Sequence, residues 1–88
     1  MVRYMNKAAD NITMKQRIEE KYNSFSEKEK LVAKYVIDHY SESMLLSSTE
    51  LAQMAKVSHT AVIRFAKDMG YSGYREYKKE LRTEYAPA

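Results

Sequence analysis

The chain has 88 residues, a length that suits one small domain, and its 15 lysines and arginines outnumber its 12 aspartates and glutamates to give a net charge of +3. It contains no cysteine, which excludes disulfides and thiolate metal sites and leads us to expect a reducing cytoplasm as its location. No apolar run approaches the roughly 18 residues of a membrane span, and residues 1–10 lack the apolar segment of a secretory signal.

Capping boxes mark three predicted helix starts, because in each box two side chains satisfy each other's free backbone donors. The pairs are Thr13 with Gln16, Ser26 with Glu29, and Ser47 with Glu50. They open predicted helices over about 13–23, 26–40 and 48–55. Residues 1–11 show no pattern and are predicted to be a flexible leader.

The first two predicted helices each present one apolar face at helical spacing. The apolar positions are Met14, Ile18 and Tyr22 in the first, and Leu31, Val32, Tyr35, Val36 and His39 in the second. We interpret His39 as a core-edge residue or a C-terminal dipole partner, and we expect neither a metal site nor a cofactor. Residues 40–46 are a connector that could include one helical turn, and its three apolar side chains are expected to fill the core: Met44, Leu45 and Leu46.

Residues 50–65 predict two short helices joined by a three-residue turn, which is the helix-turn-helix arrangement. Ser58 is the expected N-cap of the second helix, and Gly70 is expected to end it in a left-handed conformation. The apolar positions of this helix fall at i, i+3, i+4 and i+7 and predict its buried face: Val62, Phe65, Ala66 and Met69.

A last helix is predicted over about 73–84, with Tyr74, Tyr77 and Leu81 directed inward, followed by a disordered tail at 86–88. The chain therefore reads as all-α, a compact five-helix bundle with a homeodomain-like helix-turn-helix and no sheet. Residues 12–85 form the predicted domain.

The outer side of the second motif helix holds the residues predicted to read DNA bases, namely His59, Thr60, Ile63 and Arg64. Arg64 can give two donors to guanine O6 and N7. Ile63 is expected to be exposed on a polar face, where a thymine methyl would suit it. The alternatives are an ordinary surface residue or a subunit contact for Ile63, and a solvated arginine for Arg64.

A second set of residues is predicted to bind DNA phosphates and thereby to set position rather than sequence preference. It consists of Ser47, Ser48, Thr49, Ser58, Lys67, Tyr71, Ser72, Gly73, Tyr74 and Lys78. Most of them lie at helix starts, where free N–H groups favour an anion. Capping alone is the alternative for the serines, and core packing is the alternative for Tyr71 and Tyr74. Residues 56–88 hold seven basic and four acidic residues, which fits an anionic partner.

Three segments carry a family resemblance: SEKEKLVAKYV at 26–36, LAQMAKVS at 51–58 and VIRFAKDMGYSGYREYK at 62–78. The chain resembles, from about Ile18 to Leu81, the N-terminal domain of the RpiR family of bacterial transcriptional regulators, which respond to phosphorylated sugars. The third segment is the most specific, since its Arg-Phe pair and Gly-aromatic-x-Gly-aromatic turn are rare in other helix-turn-helix families.

The resemblance implies a cytoplasmic, nucleoid-associated protein that binds double-stranded DNA and regulates sugar or amino-sugar metabolism genes, with a repressor as the expected type. It also implies a separate sugar-isomerase-like domain that binds a phosphosugar effector. That domain is absent from these 88 residues. We therefore expect either a shortened regulator or a stand-alone DNA binder.

Two positions depart from the family pattern. Lys56 occupies the turn position usually held by glycine, and a lysine at positive φ would cost about 1 kcal/mol or more. Ala61 stands where threonine is common, which removes a hydroxyl that could touch a phosphate.

A homodimer is expected, because one helix reads only a few base pairs and two-fold pairing supplies a second half-site. The first and last helices are candidate partner surfaces, with Tyr4, Met5 and the Tyr77/Tyr85 side as contributors. The alternative function is a helical protein-interaction or dimerisation module that has lost DNA binding. An enzyme is not expected, since the sequence has no nucleophile–base pair, paired carboxylates or glycine-rich phosphate loop.

Overall fold

Six α-helices and one 3-10 helix make up residues 13–84, the part of the chain that this computed structural model describes. They are α1 (Met14–Lys21), the 3-10 helix Tyr22–Ser24, α2 (Glu27–Asp38), α3 (Tyr40–Ser43), α4 (Ser48–Ala55), α5 (His59–Asp68) and α6 (Tyr74–Thr83). No strand occurs within residues 13–84, so the all-α prediction is confirmed. The predicted leader (1–11) and tail (86–88) lie outside the described residues.

All three predicted capping boxes are present and set the starts of α1, α2 and α4. In the first, Gln16 N–H donates to Thr13 Oγ1 at 3.1 Å and Thr13 N–H donates to Gln16 Oε1 at 2.9 Å. The helix predicted over 26–40 is divided, because His39 has non-helical dihedrals of φ −131° and ψ 55°. The chain then resumes as α3, which is the single helical turn considered for the connector.

The hydrophobic core lies between α1, α2, α4, α5 and α6, with Phe65 of α5 near its centre. The Phe65 ring lies 5.3 Å from the Phe25 ring and 5.4 Å from the Tyr77 ring, measured between centroids. Full burial of a large apolar side chain contributes about 1.5–3 kcal/mol. The fully buried side chains of greatest volume are Tyr77, Phe65, Met14, Ile18, Leu51, Met69 and Leu81.

Three expectations for apolar side chains were wrong. Leu31 is 44% exposed, because it lies at the edge of the face that α2 buries. The residues of that face are spaced at i, i+3, i+4 and i+7, namely Glu29, Val32, Ala33 and Val36. Leu45 is 74% exposed, since only its neighbours on either side pack against the core. Tyr77 is buried in the core, which confirms its predicted inward direction but excludes it from a partner surface.

The turn between α4 and α5 has the strained geometry that the sequence predicts. Lys56 adopts the left-handed conformation, with φ 62° and ψ 45°. The next residue, Val57, donates its N–H to the Ala52 carbonyl at 3.0 Å and so closes the end of α4. Ala52 is buried, and its small side chain allows α4 and α5 to approach closely. Gly70 has φ 102° just after α5, as its predicted role at the end of that helix requires.

Candidate nucleic-acid interface

The two sides of α5 differ in the way that the sequence predicts. Val62, Phe65 and Ala66 are fully buried, and Met69 just after the helix is 2% exposed. Arg64 and Lys67 are exposed on the opposite side, and neither forms an ion pair or side-chain hydrogen bond with any residue of 13–84. The donors of both side chains are therefore available to a ligand.

The remaining candidate base-reading residues lie at or near the first turn of α5. His59 is exposed, and its Nε2 lies 2.7 Å from the Ser48 hydroxyl oxygen, so the first turns of α4 and α5 are in contact. Thr60 is exposed. Ile63 was expected to be exposed, whereas its side chain is half-buried and packs against the core.

The hydroxyls at the helix starts act as caps. Glu50 N–H donates to Ser47 Oγ at 3.1 Å, and Ala61 N–H donates to Ser58 Oγ at 3.3 Å. A serine oxygen that accepts a backbone N–H keeps its own O–H as a donor. Ser47 and Ser58 are exposed, so capping leaves both of them accessible to an anion, and Thr49 in the first turn of α4 is exposed as well.

The two tyrosines that precede or open α6 direct their hydroxyls into the fold. Tyr74 is 8% exposed, and its hydroxyl donates to the Leu46 carbonyl at 2.7 Å. Tyr71 is half-buried, and its hydroxyl accepts a 2.8 Å hydrogen bond from Arg17 Nη1. Packing into the fold, the alternative given for Tyr71 and Tyr74, thus describes both side chains, and phosphate binding by either residue stays a prediction. Ser72 is exposed, and its hydroxyl forms no hydrogen bond with another residue of 13–84.

Burial also affects the ionisation of Tyr74. Desolvation, with a smaller contribution from the negative charge of Glu50, raises the pKa of Tyr74 to about 12. The hydroxyl therefore stays protonated near neutral pH, as its hydrogen bond to Leu46 requires.

An open groove of about 1240 Å³ runs between α6 and the start of α4. Ser47, Ser48 and Ile63 line one side of it, and Gly73 and Lys78 line the other. With Tyr74, which also lines it, the structure thus brings six of the candidate DNA-binding residues to one groove. Three further basic residues of α6 also line it and were not selected from the sequence, namely Arg75, Lys79 and Arg82. Their spacing of i, i+4 and i+7 in the sequence indicates that they share one face of the helix.

Residues 13–84 contain neither a metal-binding cluster nor a membrane-spanning helix. No group of three or more histidine, aspartate or glutamate side chains in this range could hold a metal ion. None of the helices described has the length and apolar character needed to cross a bilayer.

Comparison with known proteins identifies the family. The family described as "Helix-turn-helix domain, rpiR family" matches residues 12–88. An uncharacterised HTH-type transcriptional regulator in the aarA 3′ region of Providencia stuartii is 35% identical over 72 residues, which cover 82% of this chain and 26% of that protein. The HTH-type regulator GlvR of Bacillus subtilis (strain 168) is 27% identical over 74 residues, covering 84% of this chain and 29% of GlvR. The uncharacterised HTH-type regulator YfhH of Escherichia coli K12 is 34% identical over 65 residues, covering 74% of this chain and 23% of YfhH.

The chain thus spans about a quarter of the length of these relatives. A solved structure shares the fold: the N-terminal domain of ybbH from Bacillus subtilis has a TM-score of 0.73 at 24% identity, and the match covers 77% of this chain and 83% of that one. Helix-turn-helix domains of transcriptional regulators bind DNA and do not catalyse reactions. The chain belongs to the rpiR family of helix-turn-helix domains, a DNA-binding family of transcriptional regulators.

Proposed function

We propose that this chain reads a specific sequence of double-stranded DNA by placing α5 in the major groove. The observation that carries the proposal is the position of Arg64, which is exposed on the side of α5 opposite the buried face and unpaired among residues 13–84. An unpaired guanidinium at this place on a helix-turn-helix matches the geometry by which a recognition helix reaches base edges.

Four residues are assigned to base reading in this proposal: His59, Thr60, Ile63 and Arg64. Arg64 would bind guanine O6 and N7 through two parallel hydrogen bonds, worth about 1–3 kcal/mol of discrimination against other bases. His59 and Thr60 lie in the first turn of α5, which is the part of a recognition helix that contacts bases. The outer part of Ile63 would meet a thymine methyl group.

A second group would hold the DNA backbone and set the register of α5 on the duplex. Its members are Ser47, Ser48, Thr49, Ser58, Lys67, Ser72, Gly73 and Lys78. The serine and threonine residues at the starts of α4 and α5 support this assignment, because their hydroxyls lie beside the positive ends of two helix dipoles. Lys67 supports it by being exposed and unpaired within the described range.

We propose further that the chain is the DNA-reading part of a cytoplasmic repressor of sugar or amino-sugar metabolism genes. The family resemblance supports this role. Effector binding is assigned to a separate sugar-isomerase-like domain that binds a phosphosugar. The greater length of the relatives, of which this chain spans about a quarter, accommodates such a domain.

The proposed active form is a homodimer on a two-fold symmetric operator. The first and last helices remain candidate partner surfaces, without the buried Tyr77. Tyr4, Met5 and Tyr85, which the sequence suggested as contributors, lie outside the described residues. Selection of bound sequences from a random duplex library tests both parts of this proposal. We expect an enriched motif with two half-sites about 10 base pairs apart or a multiple of that spacing.

A single enriched half-site would contradict the dimer. A folded chain that enriches no sequence would contradict DNA reading and would favour the alternative of a helical protein-interaction module.

The role of Arg64 can be separated from that of Lys67 by one pair of variants. Arg64→Ala should lower the ratio of operator affinity to random-duplex affinity by about 5- to 150-fold, the equivalent of 1–3 kcal/mol. Lys67→Ala should weaken binding to both duplexes equally and reduce the slope of log affinity against log salt by about 0.9. Fluorescence anisotropy on both duplexes measures these quantities. An unchanged ratio for Arg64→Ala would exclude base reading by this residue.

A further inference from the structure

The side chains of α6 are sorted into three stripes along the helix. The apolar stripe, Tyr74, Tyr77 and Leu81, is buried against the core. The acidic stripe consists of Glu76, Glu80 and Glu84. The basic stripe consists of Arg75, Lys78, Lys79 and Arg82, at i, i+3, i+4 and i+7, so that its members share one face of the helix.

The whole basic stripe lines the groove between α6 and the start of α4, whereas only one member of the acidic stripe does so. That member, Glu76, is turned back toward the first residues of the helix: a Cβ placed on Gly73 would lie 3.3 Å from Glu76 Oε1. The groove is therefore positive along most of the length of α6.

The basic stripe has no polar partner in the described part of the fold. Within residues 13–84 none of its four members forms an ion pair or a side-chain hydrogen bond. Arg75 with Lys79, and Lys78 with Arg82, are like-charge pairs at i, i+4, a spacing that destabilises a helix. Charges that are placed together at a cost to the helix, and that are left without partners, point to an anionic ligand in the groove.

We propose that the basic stripe is a second phosphate-binding surface, which holds a sugar-phosphate strand of the same duplex that α5 reads. The inference rests on the proposed DNA-reading function and adds Arg75, Lys79 and Arg82 to the residues that contact DNA. The opposite wall of the groove fits this ligand, because it contains Ser47 and Ser48 at the start of α4 and Ile63 from the outer side of α5. A strand in the groove would thus touch both motif helices as well as α6.

The length of the stripe allows it to contact more than one phosphate of a strand. Seven residues separate Arg75 from Arg82, which is about 10 Å along the helix axis. Successive phosphates of one strand advance by about 3.4 Å along the duplex axis and lie further apart along the strand itself, so a strand in the groove presents more than one phosphate to the stripe. The long lysine and arginine side chains extend the reach of the stripe beyond its backbone span.

A charge-matched pair of triple variants tests the inference. R75Q/K79Q/R82Q removes three charges from the stripe, and K28Q/K30Q/K34Q removes three charges from lysines of α2, a helix that neither lines the groove nor is a candidate partner surface. Affinity for the selected operator and for a random duplex is measured for the 88-residue chain at several salt concentrations. We expect the stripe variant to lose about 2–3 from the slope of log affinity against log salt and roughly 100-fold or more in affinity near 0.1 M salt. The control should change little, and the operator-to-random ratio should be unchanged in both.

The thermal unfolding midpoint of the stripe variant should equal or exceed that of the wild type, because like-charge repulsion is relieved. Should the triple variant fail to fold, the single variant Arg82→Gln takes its place and is expected to lower the slope by about 0.9.

Equal slopes for the stripe variant and the control would overturn the inference while leaving DNA reading by α5 intact. A wild-type chain that binds no duplex would overturn both. A stripe variant that keeps its affinity but loses operator preference would also contradict a backbone contact, since phosphates carry no sequence information.

Discussion

Tyr74 and Tyr77 lie three positions apart on α6, and only one of their buried hydroxyls has a hydrogen-bond partner within residues 13–84. Tyr74 donates to the Leu46 carbonyl at 2.7 Å and so ties α6 to the segment before α4. Tyr77 is 1% exposed, and its hydroxyl is unpaired in the described range. Desolvation by burial, followed by the nearby tyrosines and Glu84, raises the pKa of Tyr77 well above its ordinary value. Tyr74 thus links two elements by a hydrogen bond, whereas Tyr77 contributes mainly apolar packing.

Replacing each tyrosine with phenylalanine should therefore have different effects on the free energy of unfolding. Tyr74→Phe should lower it by about 1–1.5 kcal/mol, because the Leu46 carbonyl loses its donor. Tyr77→Phe should leave it unchanged or raise it by up to about 1 kcal/mol, because a buried hydroxyl without a partner is removed. Urea titrations near pH 8 measure both. Equal losses for the two variants would contradict this distinction.

The same pair of proteins gives a pH test for Tyr74. Its pKa is raised to about 12 in the folded chain from 10.0, so its contribution is fully present below pH 10 and is lost as the pH rises toward 12. The stability difference between the wild type and Tyr74→Phe should shrink over that interval.

At the scale of elements, the turn between α4 and α5 is strained, because a lysine and not a glycine adopts the left-handed backbone conformation there. Lys56 has φ 62° and is exposed, so its side chain gains little burial in return. Lys56→Gly should raise the free energy of unfolding by about 1 kcal/mol, because glycine has no Cβ to clash in the left-handed region. The α4–α5 geometry should be preserved.

The matched control for this substitution is Gln53→Gly, an exposed position inside α4. It should destabilise the chain by about 1 kcal/mol, because glycine is a poor helix residue. Denaturation of both variants under the same conditions separates the effect of positive φ from the general effect of glycine. A loss of stability in Lys56→Gly would indicate that the lysine side chain stabilises the turn by more than the strain costs.

Local signals explain why so much of the helical framework could be predicted from sequence. Each capping box depends only on residues three apart, and the buried face of α5 depends only on its period, so Ser47 and Phe65 could be placed without any knowledge of the fold. The exposure of Leu45 and the hydroxyl partner of Tyr74 depend on residues from other elements. These long-range contacts are not encoded in a local pattern, and the expectation that Leu45 fills the core was wrong.

The candidate site likewise has one part that follows from local sequence patterns and another that depends on contacts between elements. The outer face of α5 follows from helical spacing, so Arg64 could be named from the sequence. The groove requires α6 to lie beside the start of α4, and this arrangement cannot be read from spacing within α6 alone. Arg75, Lys79 and Arg82 were missed for that reason, although their shared face was visible in the sequence.

At the scale of the whole molecule, a single carboxylate joins the first described helix to the last. Glu84, the C-cap of α6, accepts the Met14 N–H at 2.6 Å and the Tyr40 hydroxyl at 2.7 Å. The Tyr40 oxygen in turn accepts the Lys15 N–H at 3.0 Å. Both N–H groups belong to the first turn of α1, where no intrahelical acceptor exists and a negative charge is favoured by the helix dipole. This network connects α1, α3 and α6 at the edge of the core.

The network predicts a coupled loss of stability. Glu84→Ala should lower the free energy of unfolding by about 1–2 kcal/mol, the low end of the range for charge-assisted bonds because the carboxylate is exposed. Glu80→Ala, four residues earlier on the same helix and also exposed, should change it by less than about 0.5 kcal/mol.

Tyr40→Phe should also destabilise the chain, and the double variant of Glu84 and Tyr40 should lose less than the sum of the single losses, with a coupling of about 0.5–1 kcal/mol or more. Strictly additive losses would show that Glu84 and Tyr40 act independently, each through its own hydrogen bond to the first turn of α1.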